Sequence, residues 1–317
     1  MHSLSSPEVL ATYPVSQSKH ILSSSDLSFG QLCLILQLAH KLKTRRLENP
    51  QPIQPFENRM LAMLFEKQSL RTRVSFETAM TELGGHSIYL TKNDIDMGHR
   101  ESVYDVAKNL CNWSKMIVAR LNSHATLCEL AEHSSVPVIN ALTDLEHPCQ
   151  ALADLQTVQE EFGLDEKKVV WIGDGNNVCN SFAVTASKLG HEVVICTPPG
   201  YEAASYVYGS SNVSQSYDPL DAVKGASVVY TDVWVSMGQE AEEAERIQRF
   251  AKYKVTDTIM NAAASDAIFL HCLPAKRELE VSSSVIDGPQ SRVFPQAANR
   301  LYAQKALMQL LLEGVIV

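Results

Sequence analysis

Five short runs carry the side chains that can do chemistry. The first is Glu66-Lys67-Gln68-Ser69-Leu70-Arg71-Thr72-Arg73, between an apolar strand-like run and an amphipathic helical pattern. Ser69 is placed to cap that helix, so free N–H groups and the positive end of the helix dipole face one space. Two guanidiniums and a Thr hydroxyl at such a turn make an anion site best suited to phosphate. Alternating residues do not both point at one ligand. Arg71 is therefore the expected ligand and Arg73 a structural side chain. The plain alternative is a solvated basic turn.

The second run is His147-Pro148-Cys149-Gln150. Pro148 suits the first turn of a helix. His147 and Gln150 then share one face and can polarise a carbonyl without adding full negative charge; the alternative is a His cap and a surface Gln. The third is Gly173-Asp174-Gly175-Asn176-Asn177, which resembles a dinucleotide-binding turn. Val178 stands where the third Gly belongs, and the next strand ends in Cys196-Thr197-Pro198 rather than in an acid. A nicotinamide-dependent oxidoreductase is disfavoured on both counts. Asn176-Asn177 suit a carboxylate or amide ligand better, the alternative being capping Asn side chains in a tight turn.

The fourth run, Asp232-Val233-Trp234-Val235-Ser236-Met237-Gly238, offers an Asp for an ammonium group, and a hydroxyl and backbone N–H groups for a carboxylate. Together these would grip the α-substituents of an amino acid; the alternative is an acidic loop before a surface helix. The fifth is His271-Cys272-Leu273-Pro274. Neighbours on a strand point to opposite faces, so His271 is not placed to deprotonate Cys272 and no thiol enzyme is expected. No second pair has the spacing of a zinc site.

The elements that must position these runs alternate in kind. Strand-like runs at 61–65, 87–90, 115–121, 136–140, 169–173, 192–197, 227–233 and 267–273 are separated by helical patterns at 70–83, 102–113, 148–163 and 178–189. A Glu-rich helix at roughly 239–252 and a strong terminal helix at 297–312 complete the reading. Apolar strands alternating with helices predict an α/β fold of two doubly wound parallel-sheet domains covered on both faces. Ligands in such folds gather beyond the carboxyl ends of the strands, where nearly all the candidates fall, which points to a shared cleft.

Composition narrows the class. The chain has 317 residues, 45% apolar and 20% charged, with a net charge of −9. That is ordinary for a globular protein of about two domains and argues against nucleic acid as the main partner. No run approaches the roughly 18 apolar residues of a membrane span. The first 25 or so residues read as a loose arm, Ser-rich and without an export or organellar targeting pattern. Seven widely spaced cysteines without CxxC read as reduced thiols in a cytoplasmic protein.

Taken in order, SxRTR at 69–73, HPxQ at 147–150, the Asp-to-Gly run at 232–238, HCLP at 271–274 and NRLxAQKA at 299–306 resemble the aspartate/ornithine carbamoyltransferase family, the 232–238 and 299–306 runs its ornithine branch. The resemblance covers nearly the whole chain from about residue 20. It implies residues 1–150, with a returning helix at 297–317, as a carbamoyl phosphate-binding domain and 151–296 as an ornithine-binding domain. It implies transfer of the carbamoyl group of carbamoyl phosphate to the δ-amine of L-ornithine in arginine metabolism. The alternative is a sister enzyme acting on putrescine or an acylated ornithine. No metal or organic cofactor is implied. The implied assembly is a homotrimer, each site completed by a neighbour's loop.

Carried over by position, Ser69, Leu70, Arg71, Thr72, Arg120, His147, Gln150, Cys272, Leu273 and Arg300 would bind carbamoyl phosphate. Asn177, Asp232, Ser236 and Met237 would bind ornithine. The catalytic set would be Arg71, Arg120, His147, Asp232, Cys272 and Arg300. Two positions depart from the family pattern. Leu70 stands where Thr is frequent, removing a hydroxyl from the phosphate shell. Asp96, in the expected trans-acting loop 93–98, stands where Gln, His or Lys is usual and would repel a phosphate, so weaker carbamoyl phosphate binding is expected.

Overall fold

Nine short runs, most of them apolar, form parallel strands in a computed structural model that describes residues 19–48, 54–235 and 240–313. The chain divides into two units, Met1–Asp144 with Leu301–Val317, and Leu145–Arg300. The expected boundary at 150 would cut a helix after its first turn; the division at Asp144/Leu145 keeps that helix whole.

The first unit contains α1 (Phe29–Glu48), β1 (Met60–Phe65), α2 (Leu70–Glu82), β2 (His86–Thr91), α3 (Lys92–Ile95), α4 (Val103–Trp113), β3 (Met116–Arg120), α5 (His124–His133) and β4 (Val138–Leu142). Its strands lie in the order β2-β1-β3-β4, all parallel. All five side chains of β3 are buried, as expected of a strand covered on both faces. Sequence reading gave no element over 29–48. There α1 buries Leu32, Ile35, Leu36, Ala39 and Leu42 on one face, the helical repeat of a core-facing stripe. The expected loose arm also ends sooner. Ile21, 1% exposed, donates its N–H to the Val138 carbonyl at 2.9 Å and accepts from Asn140 N–H at 2.7 Å. Burying that side chain outweighs the Ser-rich character around it.

The second unit contains α6 (Pro148–Phe162), β5 (Lys168–Ile172), α7 (Asn177–Lys188), β6 (Glu192–Cys196), β7 (Val213–Ser216), α8 (Pro219–Ala222), β8 (Val228–Thr231), α9 (Glu243–Phe250), α10 (Asp257–Ala262), β9 (Ile268–His271) and α11 (Ser283–Ile286). The strand order is β7-β6-β5-β8-β9, again parallel. A core of Val170, Ile172, Val229, Phe269 and their neighbours lies on one side of the sheet. The final helix, α12 (Val293–Leu312), starts before the expected Ala297. Pro295 sits in its first turn, where no N–H is needed. Residues of α12 to Arg300 count with the second unit, and those from Leu301 with the first. No helix among the described residues is long and apolar enough to cross a membrane.

Each sheet has one place where strand order reverses. In the first unit it lies between β1 and β3, in the second between β5 and β8. In open parallel sheets the loops leaving the carboxyl ends of strands on either side of such a reversal run to opposite faces and leave a crevice between them. Three of the five chemically loaded runs, 66–73, 173–177 and 232–238, follow strands that flank those reversals, and the other two follow β4 and β9.

Candidate active site

In the first unit the crevice is bordered by the turn after β1 and the end of β3. Phe65 pairs with Arg120 in register, and Glu66 N–H donates to the Arg120 carbonyl at 2.9 Å. Glu66 also accepts from Asn122 N–H at 2.6 Å, which ties the two loops together. Ser69 caps α2, its hydroxyl accepting from Thr72 N–H at 3.2 Å. The first turn of a helix turns its N–H groups outward, and the dipole gives that end a positive potential. Thr72 is buried, Arg71 half-buried and Leu70 74% exposed. Arg73 is drawn off as expected. Its guanidinium lies 3.8 Å from the centre of the Tyr89 ring and pairs with Glu77 at 3.0 Å. Arg120 ends β3 buried, 6% exposed, beside this turn.

In the second unit His147 and Gln150 begin α6, with Pro148 at the first helical position. His147 is held by its backbone: its N–H donates to Ser181 Oγ at 2.8 Å, and that hydroxyl donates to Glu146 at 2.8 Å. Tyr206 donates to the other Glu146 oxygen at 2.9 Å. Asn180 Nδ2 donates to the Leu145 carbonyl at 2.9 Å. Thus α7 clamps residues 145–147 from the side. Arg300, 2% exposed, reaches the same place from α12. Its Nη1 donates to Gln150 Oε1 and lies 3.5 Å from His147 Nε2. Three hydrogen-bonding groups from distant parts of the sequence therefore converge. Cys149, between His147 and Gln150 in the sequence, is buried, and burial pushes its thiol up to about 12.

The other half of this unit's site straddles the reversal between β5 and β8. Asn176 caps α7, its Oδ1 accepting from Val178 N–H at 3.0 Å and Cys179 N–H at 3.1 Å. Its Nδ2 donates to Asp232 Oδ2 at 2.9 Å. Asp232 Oδ1 accepts from Val233 N–H at 2.8 Å and from Cys272 Sγ at 3.0 Å. Asn177, half-buried, opens the helix beside them. The tight turn before it requires glycine. A Cβ on Gly175 would lie 2.3 Å from Ala203 N. Ser236 and Met237 lie outside the described residues.

His271, Cys272 and Asp232 place one ligand atom each within 4.8 Å of one another. Both His271 ring nitrogens are nevertheless committed to protein groups. Nδ1 accepts from Leu273 N–H at 2.9 Å, and Nε2 pairs with buried Glu280 at 3.2 Å. Neither nitrogen serves Cys272, whose S–H goes to Asp232, so no Cys–His dyad forms. The Leu273 backbone is left-handed, φ +57°, and the His271 bond helps to hold that turn at the strand end.

Sequence reading missed Glu146, Asp154, Ser181, Arg246 and Gln296. Arg246, on the helix expected to be simply Glu-rich, is 4% exposed. Its Nε donates to the Trp234 carbonyl at 2.6 Å, and its Nη2 pairs with Asp174. Burial, aided by the nearby Asp232 charge, holds the Asp174 carboxyl at about 6 despite that partner.

Two parallel-sheet units, with phosphate-suited and amino-acid-suited groups at their strand-order reversals, define a class of two-domain group-transfer enzymes. The chain belongs to the aspartate/ornithine carbamoyltransferase family. Residues 19–160 match its carbamoyl-P binding domain and residues 165–311 its Asp/Orn binding domain. An ornithine carbamoyltransferase of Carboxydothermus hydrogenoformans is 45% identical over 96% of this chain and 100% of its own length. An ornithine carbamoyltransferase structure from Pyrococcus furiosus has a TM-score of 0.90 at 42% identity, covering 95% of this chain and 99% of that one. An N-acetyl-L-ornithine transcarbamylase structure has a TM-score of 0.83 at 29% identity, covering 93% and 100%.

Proposed function

We propose that the chain is an enzyme that transfers the carbamoyl group of carbamoyl phosphate to the δ-amine of L-ornithine, giving citrulline and phosphate. The observation that carries this reading is the pairing of two chemistries at two strand-order reversals: the Ser69-capped turn with Arg71 and Arg120 in one unit, and the Asn176–Asp232–Cys272 chain in the other. The 45% identity to an ornithine enzyme supports ornithine over other amines.

In this reading Ser69, Leu70 through its N–H, Arg71, Thr72 and Arg120 hold the phosphoryl end. His147, Gln150, Arg300, Cys272 and Leu273 meet the carbamoyl end. Asn177, Asp232, Ser236 and Met237 hold ornithine. The δ-amine has an ordinary pKa of about 10.4 and must lose its proton before attack. Asp232, hydrogen-bonded to Cys272, is the carboxylate placed to orient the ammonium and receive that proton. Attack on the carbonyl carbon gives a tetrahedral oxyanion, which Arg120, His147, Thr72 and Arg300 stabilise. Collapse of the intermediate breaks the bond to phosphate, whose charge Arg71 and the start of α2 accept. Alignment of two bound substrates supplies much of the remaining rate.

The same proposal places the reaction in arginine biosynthesis and the protein in the cytoplasm, where its seven free thiols would stay reduced. It includes a homotrimer. Exposed Leu70 and Val74 on one face of α2, and exposed Ile88 on β2, are the apolar surface that supports self-association. Citrulline assayed with ornithine, putrescine, N-acetylornithine and aspartate as acceptors tests the reaction. Product from ornithine alone is expected; turnover of another amine in its place overturns the choice of acceptor. A sedimentation mass of three chains is expected for the assembly, and one of a single chain overturns it.

A further inference from the structure

We propose that Asp154 is a positioning residue that fixes which end of the Gln150 amide faces the reacting group. It thereby makes the site prefer an acyl phosphate whose acyl group carries N–H donors. The inference rests on the function proposed above and adds the origin of that preference.

His147, Gln150 and Asp154 fall at i, i+3 and i+7 on one face of α6. Asp154 is 0% exposed. Its Oδ1 accepts from Gln150 Nε2 at 2.7 Å and from Gln296 Nε2 at 2.7 Å, and its Oδ2 accepts from Tyr230 OH at 3.0 Å. A carboxylate this deep is costly unless its oxygens are satisfied, and three donors from α6, α12 and β8 satisfy it. Burial still dominates and raises the carboxyl to about 7.

The Gln150 amide lies between this carboxyl and the Arg300 guanidinium, which donates to Oε1. An amide has a donor end and an acceptor end. Reversed, it would set N–H groups against a guanidinium and an oxygen against a carboxylate, repulsive at both ends. Only one orientation is compatible with the two charges. It leaves the second lone pair of Oε1 beside Arg300 and His147, the groups assigned to the carbamoyl end. That lone pair can accept an N–H; a methyl group at the same place offers nothing and strips the oxygen of water. Buried sites built to bond an N–H reject analogues that lack it. Without Asp154, Arg300 alone orients the amide, and Gln150 regains torsional freedom.

Two stable ligands separate these effects. Phosphonoacetamide presents an amide NH2, and acetonylphosphonate presents a methyl group in its place. Calorimetric titration of each into the wild-type enzyme should favour phosphonoacetamide by at least about tenfold. In Asp154→Leu that ratio should fall to within about threefold, with acetonylphosphonate affinity nearly unmoved. Asp154→Asn, whose single oxygen can accept from both Gln amides while its NH2 meets Tyr230, should keep most of the preference. In a Gln150→Met background, Asp154→Leu should change the ratio no further. If the Leu variant does not fold, Asp154→Ser takes its place. An unchanged ratio, an equal loss for both ligands, or loss of the preference in Asp154→Asn overturns the proposal. A wild-type enzyme that makes citrulline but shows no preference sinks this inference alone. One that binds neither ligand sinks the functional reading with it.

Discussion

The first turns of α2 and α6 both follow parallel strands and both carry side chains assigned to carbamoyl phosphate, yet they are held in opposite ways. At α2 the cap is one Ser hydroxyl, Leu70 is 74% exposed, and Arg73 is turned aside by Tyr89 and Glu77. At α6, His147, Gln150, Asp154 and Arg300 are all at most 4% exposed and hydrogen-bonded to one another or to α7 and β8. In the proposed reaction the contrast follows from what each turn would bind. An anion is drawn by backbone N–H groups and a dipole, which any capped helix supplies. Steering a neutral carbonyl and its NH2 needs side chains in fixed orientations, and those need a second layer of partners.

Five substitutions break or sharpen that contrast. The largest effect is expected from His147→Ala, with kcat lower by about 10²–10³ and little change in melting temperature, since removing one oxyanion donor costs about 3 kcal/mol. A near-normal kcat would remove His147 from the reaction. Arg71→Ala should act on the other turn, raising KM for carbamoyl phosphate by about 10- to 100-fold through loss of a charge-assisted bond of roughly 1.5–3 kcal/mol. If kcat alone moved, Arg71 would act on the departing phosphate and not in binding.

Ser181→Ala tests the second layer. It strips His147 N–H of its acceptor and Glu146 of a donor, so stability measured by urea titration should fall by about 1–3 kcal/mol. Ser69→Ala should cost about 1 kcal/mol by the same measurement, the ordinary value of an N-cap. An equal loss in both variants would erase the difference in how the turns are held. The smallest effect is expected at Asp96. Its φ of +48° is one that Asp tolerates better than most residues. Asp96→Gln should lower KM for carbamoyl phosphate by only a few-fold, roughly the worth of one hydrogen bond. An unchanged KM would show that the carboxylate never faces the phosphate.

Much of the scaffold was legible because it is periodic. The apolar runs of β1, β3, β5 and β9 stand out against their polar ends, and SxRTR, HPxQ and HCLP each mark a strand end by local spacing. The segment Val213–Ser216 was not legible: β7 is short, polar and paired on one side only, so it has no apolar run to show. The partners of the site were hidden for another reason. Ser181 meets His147 from 34 positions away, Tyr230 meets Asp154 from 76, and Gln296 meets Asp154 from 142. Such contacts exist only after the sheet has formed, and nothing in the neighbouring residues announces them. Asn176 was half legible: its capping role was weighed, but not its bond to Asp232.

Because α12 belongs to the second unit up to Arg300 and to the first from Leu301, gene order and architecture do not coincide. Buried Ala303, Ala306, Leu307 and Met308 follow the whole of the second unit in the sequence but fill the unit that precedes it. On a ribosome that unit stays incomplete until the whole of the other unit, and the residues from Leu301 on, have been made. A late stop codon or frameshift would injure the amino-terminal half of the protein while sparing the middle. Dividing the chain at 144/145 would give one fragment holding the whole second unit and one lacking the segment from Leu301 on, so complementation between halves should succeed only when that segment is moved with the first.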